Sequence, residues 1–243
     1  MHIGDHAANT PDKLALVIPG SGYTQTFAEL NAAANRLSQL LRSVGLQPGD
    51  HVALCMENHD RYLEVLWGCH FAGVIYTATS SRLTSAELTY ILNDCNAKAF
   101  ITSHYKAEQA AEILAGTPGV SLRLMLDGSI PGYEGYEEAV SQQSSEALPN
   151  RIAGTDMLYS SGTTGDPKPI VHGHGGVLLE HAHNVFREEL HVVVELVDAV
   201  AHSQVVHGVA DQFGSAWGWI LAGGFALVKA LELDLLAPSG GGS

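Results

Sequence analysis

The chain has 243 residues, with 12 Lys+Arg against 26 Asp+Glu and a formal net charge of −14. That length can bury a sizeable core, as one large α/β domain or two smaller lobes. The negative charge repels nucleic-acid backbones and anionic lipid at long range, so a nucleic-acid partner is not expected, while a local anion site stays open.

The start "MHIGDHAANTPDK" has neither the basic region nor the apolar region of a signal peptide. No run approaches the roughly 18 apolar residues of a membrane span, so a cytoplasmic location and no membrane span are expected. "LALVI", Leu14 to Ile18, reads as a strand, and the glycines and Tyr23 after it suggest a hairpin. Phe27, Leu30, Ala34, Leu37, Leu41 and Val44 recur at spacings of three and four, which predicts a helix. Thr26 with Glu29 makes a capping box for it, and Gly45 stops it. Pro48-Gly49 then turns the chain into "HVALCM".

A second capping box, Thr84 with Glu87, opens a helix through Leu88, Ile91 and Leu92 to Asp94, followed by the strand-like "KAFIT". Cys55, Cys69 and Cys95 are odd in number, lack C-x-x-C spacing and sit in apolar or helical stretches, which predicts buried thiols in a reducing compartment. Trp67, Trp217 and Trp219 fall at apolar helical positions, where packing is the default role.

"LRLMLD" and "TDMLYS" bracket a polar, Gly/Ser/Gln-rich region, with short helical turns around Glu137 to Gln143. The alternation of strands and helical periods predicts an α/β fold of mostly parallel sheets with flanking helices. The expected organisation is a first lobe over 1–127, a connection over 128–153, the start of a second lobe over 154–236 and a flexible tail over 237–243, where "APSGGGS" has linker composition.

Between "DMLYS" and a helical segment expected from about Gly175 to Leu190 lies "SGTTGDPKP". Its glycines let the backbone approach a ligand closely, and its N–H groups and the hydroxyls of Ser160, Ser161, Thr163 and Thr164 can ring an anion. Lys168 adds a mobile positive charge. The spacing is neither that of a Walker A loop nor G-x-G-x-x-G. On spacing alone the stretch reads equally as a phosphate site or as a surface loop. The pairs His172/His174 and His181/His183 invite a metal, but second-shell carboxylates are not obvious and no metal site is expected. There is no G-x-S-x-G elbow, which argues against a Ser-His-Asp hydrolase.

"YSSGTTGDPKP", Tyr159 to Pro169, resembles the phosphate-binding signature of the adenylate-forming (AMP-binding) superfamily, which includes acyl-CoA synthetases, luciferases and nonribosomal-peptide adenylation domains. "TPDKLALV", "TFAELNAAANRLSQLLRSVGLQPGDHVALCMEN" and "VLWGCHFAGVIYTATSSRLTSAELTYILNDCNAKAFITS" are similar in order and character to the start of an acyl-CoA synthetase. The resemblance is clear over residues 5–176 and continues weakly to about Val228. It implies the partial N-terminal domain of an acyl-CoA synthetase-like fold.

The resemblance also implies activation of a small carboxylic acid by ATP with Mg²⁺ to an acyl-adenylate, then transfer to a thiol, usually CoA, as in fatty acid metabolism. Ser160, Ser161, Gly162, Thr163, Thr164, Gly165 and Lys168 would contact phosphate, with Lys168 also catalytic. Many members have glycine where this chain has Pro169, and "PKPIVHGHGGVLLEH" looks most like the acetoacetyl-CoA synthetase type. His207 falls where such enzymes often line the acyl pocket, without the usual preceding proline; an ordinary core or surface histidine is the other reading.

Members of the superfamily are considerably longer. The segments carrying their adenine and ribose contacts, Mg²⁺-binding glutamate, hinge and C-terminal-domain lysine are expected beyond this chain. The alternative to an incomplete ligase is a non-catalytic remnant or ATP/anion-binding module of the same fold. A third expectation is self-association through uncovered sheet edges.

Overall fold

The computed structural model describes residues 2–18, 21–149, 151–160 and 168–171, with Ser160 and residues 168–171 described by their backbone. Two compact units are distinguished, one holding the described residues up to Leu30 and the other those from Asn31 onward.

The first unit opens with helix α1 (Ile3–Asn9), for which the sequence has no apolar period; His2 and Asp5 cap it reciprocally. Strands β1 (Leu14–Ile18) and β2 (Tyr23–Thr26) form the expected antiparallel hairpin, with a register shift between Leu14 and Leu16. Helix α2 (Phe27–Ser43) begins where the capping box places it. The Thr26 N–H donates to Glu29 Oε2 at 2.8 Å, and the Glu29 N–H donates to Thr26 Oγ1 at 3.2 Å. Gly45 follows the helix with φ +96°, a conformation that L side chains rarely adopt.

The second unit is built on β3 (His51–Cys55), β4 (Ile75–Thr79), β5 (Ala97–Ser103), β6 (Leu122–Leu126), β7 (Glu134–Gly135), β8 (Thr155–Ser160) and β9 (Lys168–Val171). They form one sheet in the order β7-β6-β5-β3-β4-β8-β9. Every pairing is parallel except β8 with β9. Helices α3 (Tyr62–Ala72), α4 (Ser85–Asp94), α5 (Ala107–Ile113) and α6 (Tyr136–Ser141) connect the strands. The mostly parallel α/β class is therefore as expected. The polar stretch 128–153 carries β7 and α6, and Thr155–Ser160 joins the same sheet as β3 to β6 through β4.

Strand side chains alternate between two cores. On one face Val52, Leu54, Ile101, Leu122, Leu124 and Leu126 pack with Leu37 and Leu41 of α2, Val65 and Cys69 of α3, and Tyr136 of α6. On the other, Ala53, Cys55, Phe100, Met125 and Met157 pack with Leu88 and Leu92 of α4 and Ala110 and Ile113 of α5. A bulge in β5 between Ala97 and Ala99 resets this alternation, so Ala97 faces the second core and Ala99 the first. With both faces covered, the central strands read as near-continuous apolar runs. Among the described residues, no helix is long and apolar enough to cross a membrane.

Candidate phosphate-binding site

All six parallel strands run the same way, so the turn that follows β8 emerges at the carboxyl edge of the sheet. That is the edge at which open α/β sheets bind their ligands. What fixes β8 there starts at Gly154. Its N–H donates to the His70 carbonyl at 2.8 Å, and the Thr155 N–H donates to the Val74 carbonyl at 3.2 Å. A β-carbon at Gly154 would lie 2.4 Å from the Val74 oxygen and 3.0 Å from the Cys69 oxygen, so the approach of β8 to the α3–β4 junction needs glycine. The parallel ladder to β4 then runs through Ile75–Thr155 and Tyr76–Asp156.

Beyond Asp156, β8 is held by its side chains and by β9. Met157 is buried in the second core, and Tyr159 packs against that core from its rim. The Tyr159 hydroxyl donates to Asp94 Oδ2 at 2.6 Å, at the end of α4. Burial first, and then the Asp94 hydrogen bond, push the Tyr159 phenol well above its ordinary range, so it stays a donor at neutral pH. In the antiparallel hairpin Met157 faces Val171, Leu158 faces Ile170, Tyr159 faces Pro169 and Ser160 faces Lys168.

The sequence predicts a loop running on to a helix near Gly175; within that loop the structure has a strand beginning at Lys168 and paired antiparallel with β8. Pro169 masks this strand, because proline has no N–H to donate to a ladder. Proline is tolerated on an edge strand, and β9 is the last strand in the sheet order among the described residues.

Of the residues expected to contact phosphate, Ser160 and Lys168 are thus brought opposite each other at the two ends of the turn. Ser161, Gly162, Thr163, Thr164 and Gly165 lie outside the described residues, as do His207, the four paired histidines, Trp217 and Trp219 and the helix expected from Gly175. Trp67 packs edge-on to His70, ring centroids 5.4 Å apart, consistent with a packing role.

The same carboxyl edge holds polar groups that no sequence motif marks. Ser103 Oγ donates to Glu57 Oε2, and His59 Nε2 lies 2.8 Å from Asp127 Oδ2. Lys106 Nζ donates to the Ser81 carbonyl at 2.8 Å. Glu64, 1 % exposed, accepts from Tyr136 Oη at 2.8 Å and pairs with Arg61 Nη1 at 3.0 Å. These groups bind one another across the loops after β3, β4, β5 and β6, and so fix the loops of that edge. The signal that would have revealed them is spatial: Ser103 and Glu57 are 46 residues apart, and Tyr136 and Glu64 are 72 apart.

The three cysteines are free and buried, as expected. Burial raises all three thiols, Cys95 to about 11, which leaves them protonated and unreactive at neutral pH. Among the described residues, no cluster of His, Cys, Asp and Glu is arranged to hold a metal ion.

A largely parallel sheet flanked by helices, with a Gly/Ser/Thr-rich stretch following β8 at its carboxyl edge, defines an α/β protein with a candidate anion site. The chain belongs to the AMP-binding enzyme family, whose profile matches residues 3–233. It is 30% identical over 202 residues to a long-chain-fatty-acid–CoA ligase of Thermus thermophilus, covering 82% of this chain and 36% of that protein. It is 32% identical over 167 residues to a feruloyl-CoA synthase of an Amycolatopsis species, covering 67% of this chain and 31% of that protein. Among solved structures, the anthranilate CoA ligase AuaEII in complex with anthranoyl-AMP matches with a TM-score of 0.61 and 25% identity, over 72% of this chain and 36% of that one. The chain thus spans about a third of the length of the curated relatives it matches.

Proposed function

We propose that this chain carries the triphosphate-binding part of an AMP-forming acid–thiol ligase. One observation supports the reading most: Ser160 and Lys168, the outer residues of the phosphate signature, face each other across a hairpin at the ligand-binding edge of the sheet. In the proposed reaction a carboxylate oxygen attacks the α-phosphorus of Mg·ATP, pyrophosphate leaves, and the acyl-adenylate forms. A thiol, by resemblance that of CoA, then attacks the acyl carbon and releases AMP. The charge that develops on the leaving pyrophosphate is met by N–H groups and hydroxyls of Ser160, Ser161, Gly162, Thr163, Thr164 and Gly165, and by the Lys168 ammonium.

The acid is left open by the relatives, whose names specify a long-chain fatty acid, ferulate and anthranilate. His207 is proposed to line the acyl pocket, and a cytoplasmic location is part of the same proposal. The test is exchange of labelled pyrophosphate into ATP, with the remaining segments of a ligase supplied in trans and those three acids added in turn. Exchange that depends on one of them supports the ligase. Uptake of Mg·ATP with no exchange for any acid would overturn it in favour of a non-catalytic ATP-binding module.

A further inference from the structure

Beyond its ladder to β4, β8 is held by Met157 in the second core, by Tyr159 at the rim of that core and by the Tyr159 hydroxyl. The parallel ladder between the two strands stops at Tyr76–Asp156, four residues short of Ser160. Past Met157, the polar link of β8 to a helix is the 2.6 Å hydrogen bond from Tyr159 Oη to Asp94 Oδ2. Asp94 is well anchored: it ends α4, which is capped by Thr84 and Glu87 at its start and packed on the sheet through Leu88 and Leu92.

Its own position is unfavourable for helix stability, because an anion at a helix C-terminus faces the negative end of the helix dipole, and no basic residue lies in that last turn. A carboxylate placed against the dipole and bonded to a tyrosine 65 residues away is better explained by what it holds than by what it does for its helix.

We propose that Tyr159 and Asp94 are positioning residues for ATP: their hydrogen bond fixes the end of β8, and with it the Ser160–Lys168 pair from which the phosphate turn springs. This rests on the proposed triphosphate-binding role of that turn. Donors must stand close to their ideal places to hold a developing charge, and a displacement of about 1 Å far from the chemistry can cost on the order of a hundredfold.

The test is calorimetric titration of the full chain with Mg·ATP, well below the thermal midpoint, for wild type, Tyr159→Phe, Asp94→Ala, the double variant and Asp94→Asn. Each of Tyr159→Phe and Asp94→Ala is expected to raise Kd about fivefold, the size of one lost hydrogen bond. The double variant is expected to be no weaker than either single one, because both remove the same link. Asp94→Asn keeps a carbonyl acceptor and should stay within about twofold of wild type. A purely structural contact would lower the thermal midpoint and leave Kd unmoved, and that result overturns the tether while leaving the phosphate turn intact. Additive losses in the double variant overturn it as well. A wild-type chain that takes up no Mg·ATP overturns the phosphate-binding reading itself, and the tether with it.

Discussion

Gly154→Ala tests whether the geometry that launches β8 is as tight as the structure shows. The added β-carbon would lie 2.4 Å from the Val74 oxygen, 3.0 Å from the Cys69 oxygen and 3.1 Å from His70 Cα. All three obstacles are backbone, so no rotamer change relieves them and the strand itself must retreat. Retreat lengthens two hydrogen bonds, Gly154 N–H to the His70 carbonyl and Thr155 N–H to the Val74 carbonyl. Two weakened backbone bonds at about 1 kcal/mol each, with overpacking of about 1–3 kcal/mol, give an expected loss of about 3–5 kcal/mol. Urea unfolding followed by circular dichroism should show the midpoint falling with the slope unchanged. Gly119→Ala is the control, since a β-carbon there meets nothing within 4 Å. Its effect should stay within about 0.5 kcal/mol. If Gly154→Ala unfolds at the same urea concentration as this control, the close docking of β8 on the α3–β4 junction is wrong.

Tyr136→Phe deletes the hydroxyl that donates to buried Glu64 and should destabilise by about 1.5–3 kcal/mol, read in the same urea assay. His70 sets an acid limit: burial first, with the Arg151 charge acting the same way, lowers it from the ordinary value of 6.5 to about 4. Between those values the unfolded chain binds the proton and the folded chain does not. Stability is therefore intact above pH 6.5, falls as the pH drops through that window and levels off below about 4. The gap corresponds to about 3 kcal/mol, so His70→Gln should flatten the fall in urea midpoint between pH 7.5 and 4.5. His6 and His51 are lowered by burial too and leave a smaller residual slope.

The parts of this fold that are legible in the sequence are those specified by near neighbours. Both capping boxes, Thr26 with Glu29 and Thr84 with Glu87, are contacts between residues three apart, and the structure contains both. Helix α2 shows its period because one side meets a core through Leu37 and Leu41. Helix α3 shows none: it buries Glu64, Val65, Gly68, Cys69, His70, Phe71 and Ala72 around its circumference, so apolar and polar positions do not separate. Strand β9 is hidden by Pro169 and by its brevity. The candidate phosphate stretch is legible as chemistry from its hydroxyls, glycines and lysine. The groups that brace its approach, Gly154 against Val74 and Tyr159 against Asp94, are joined only by the fold.

The central claim, that the turn between β8 and β9 holds the phosphates of ATP, is tested most directly by titrating the chain with Mg·ATP and comparing it with Lys168→Ala. Loss of a charge-assisted hydrogen bond of about 1.5–3 kcal/mol should weaken binding by at least about tenfold. Equal affinity in the two proteins would contradict the claim.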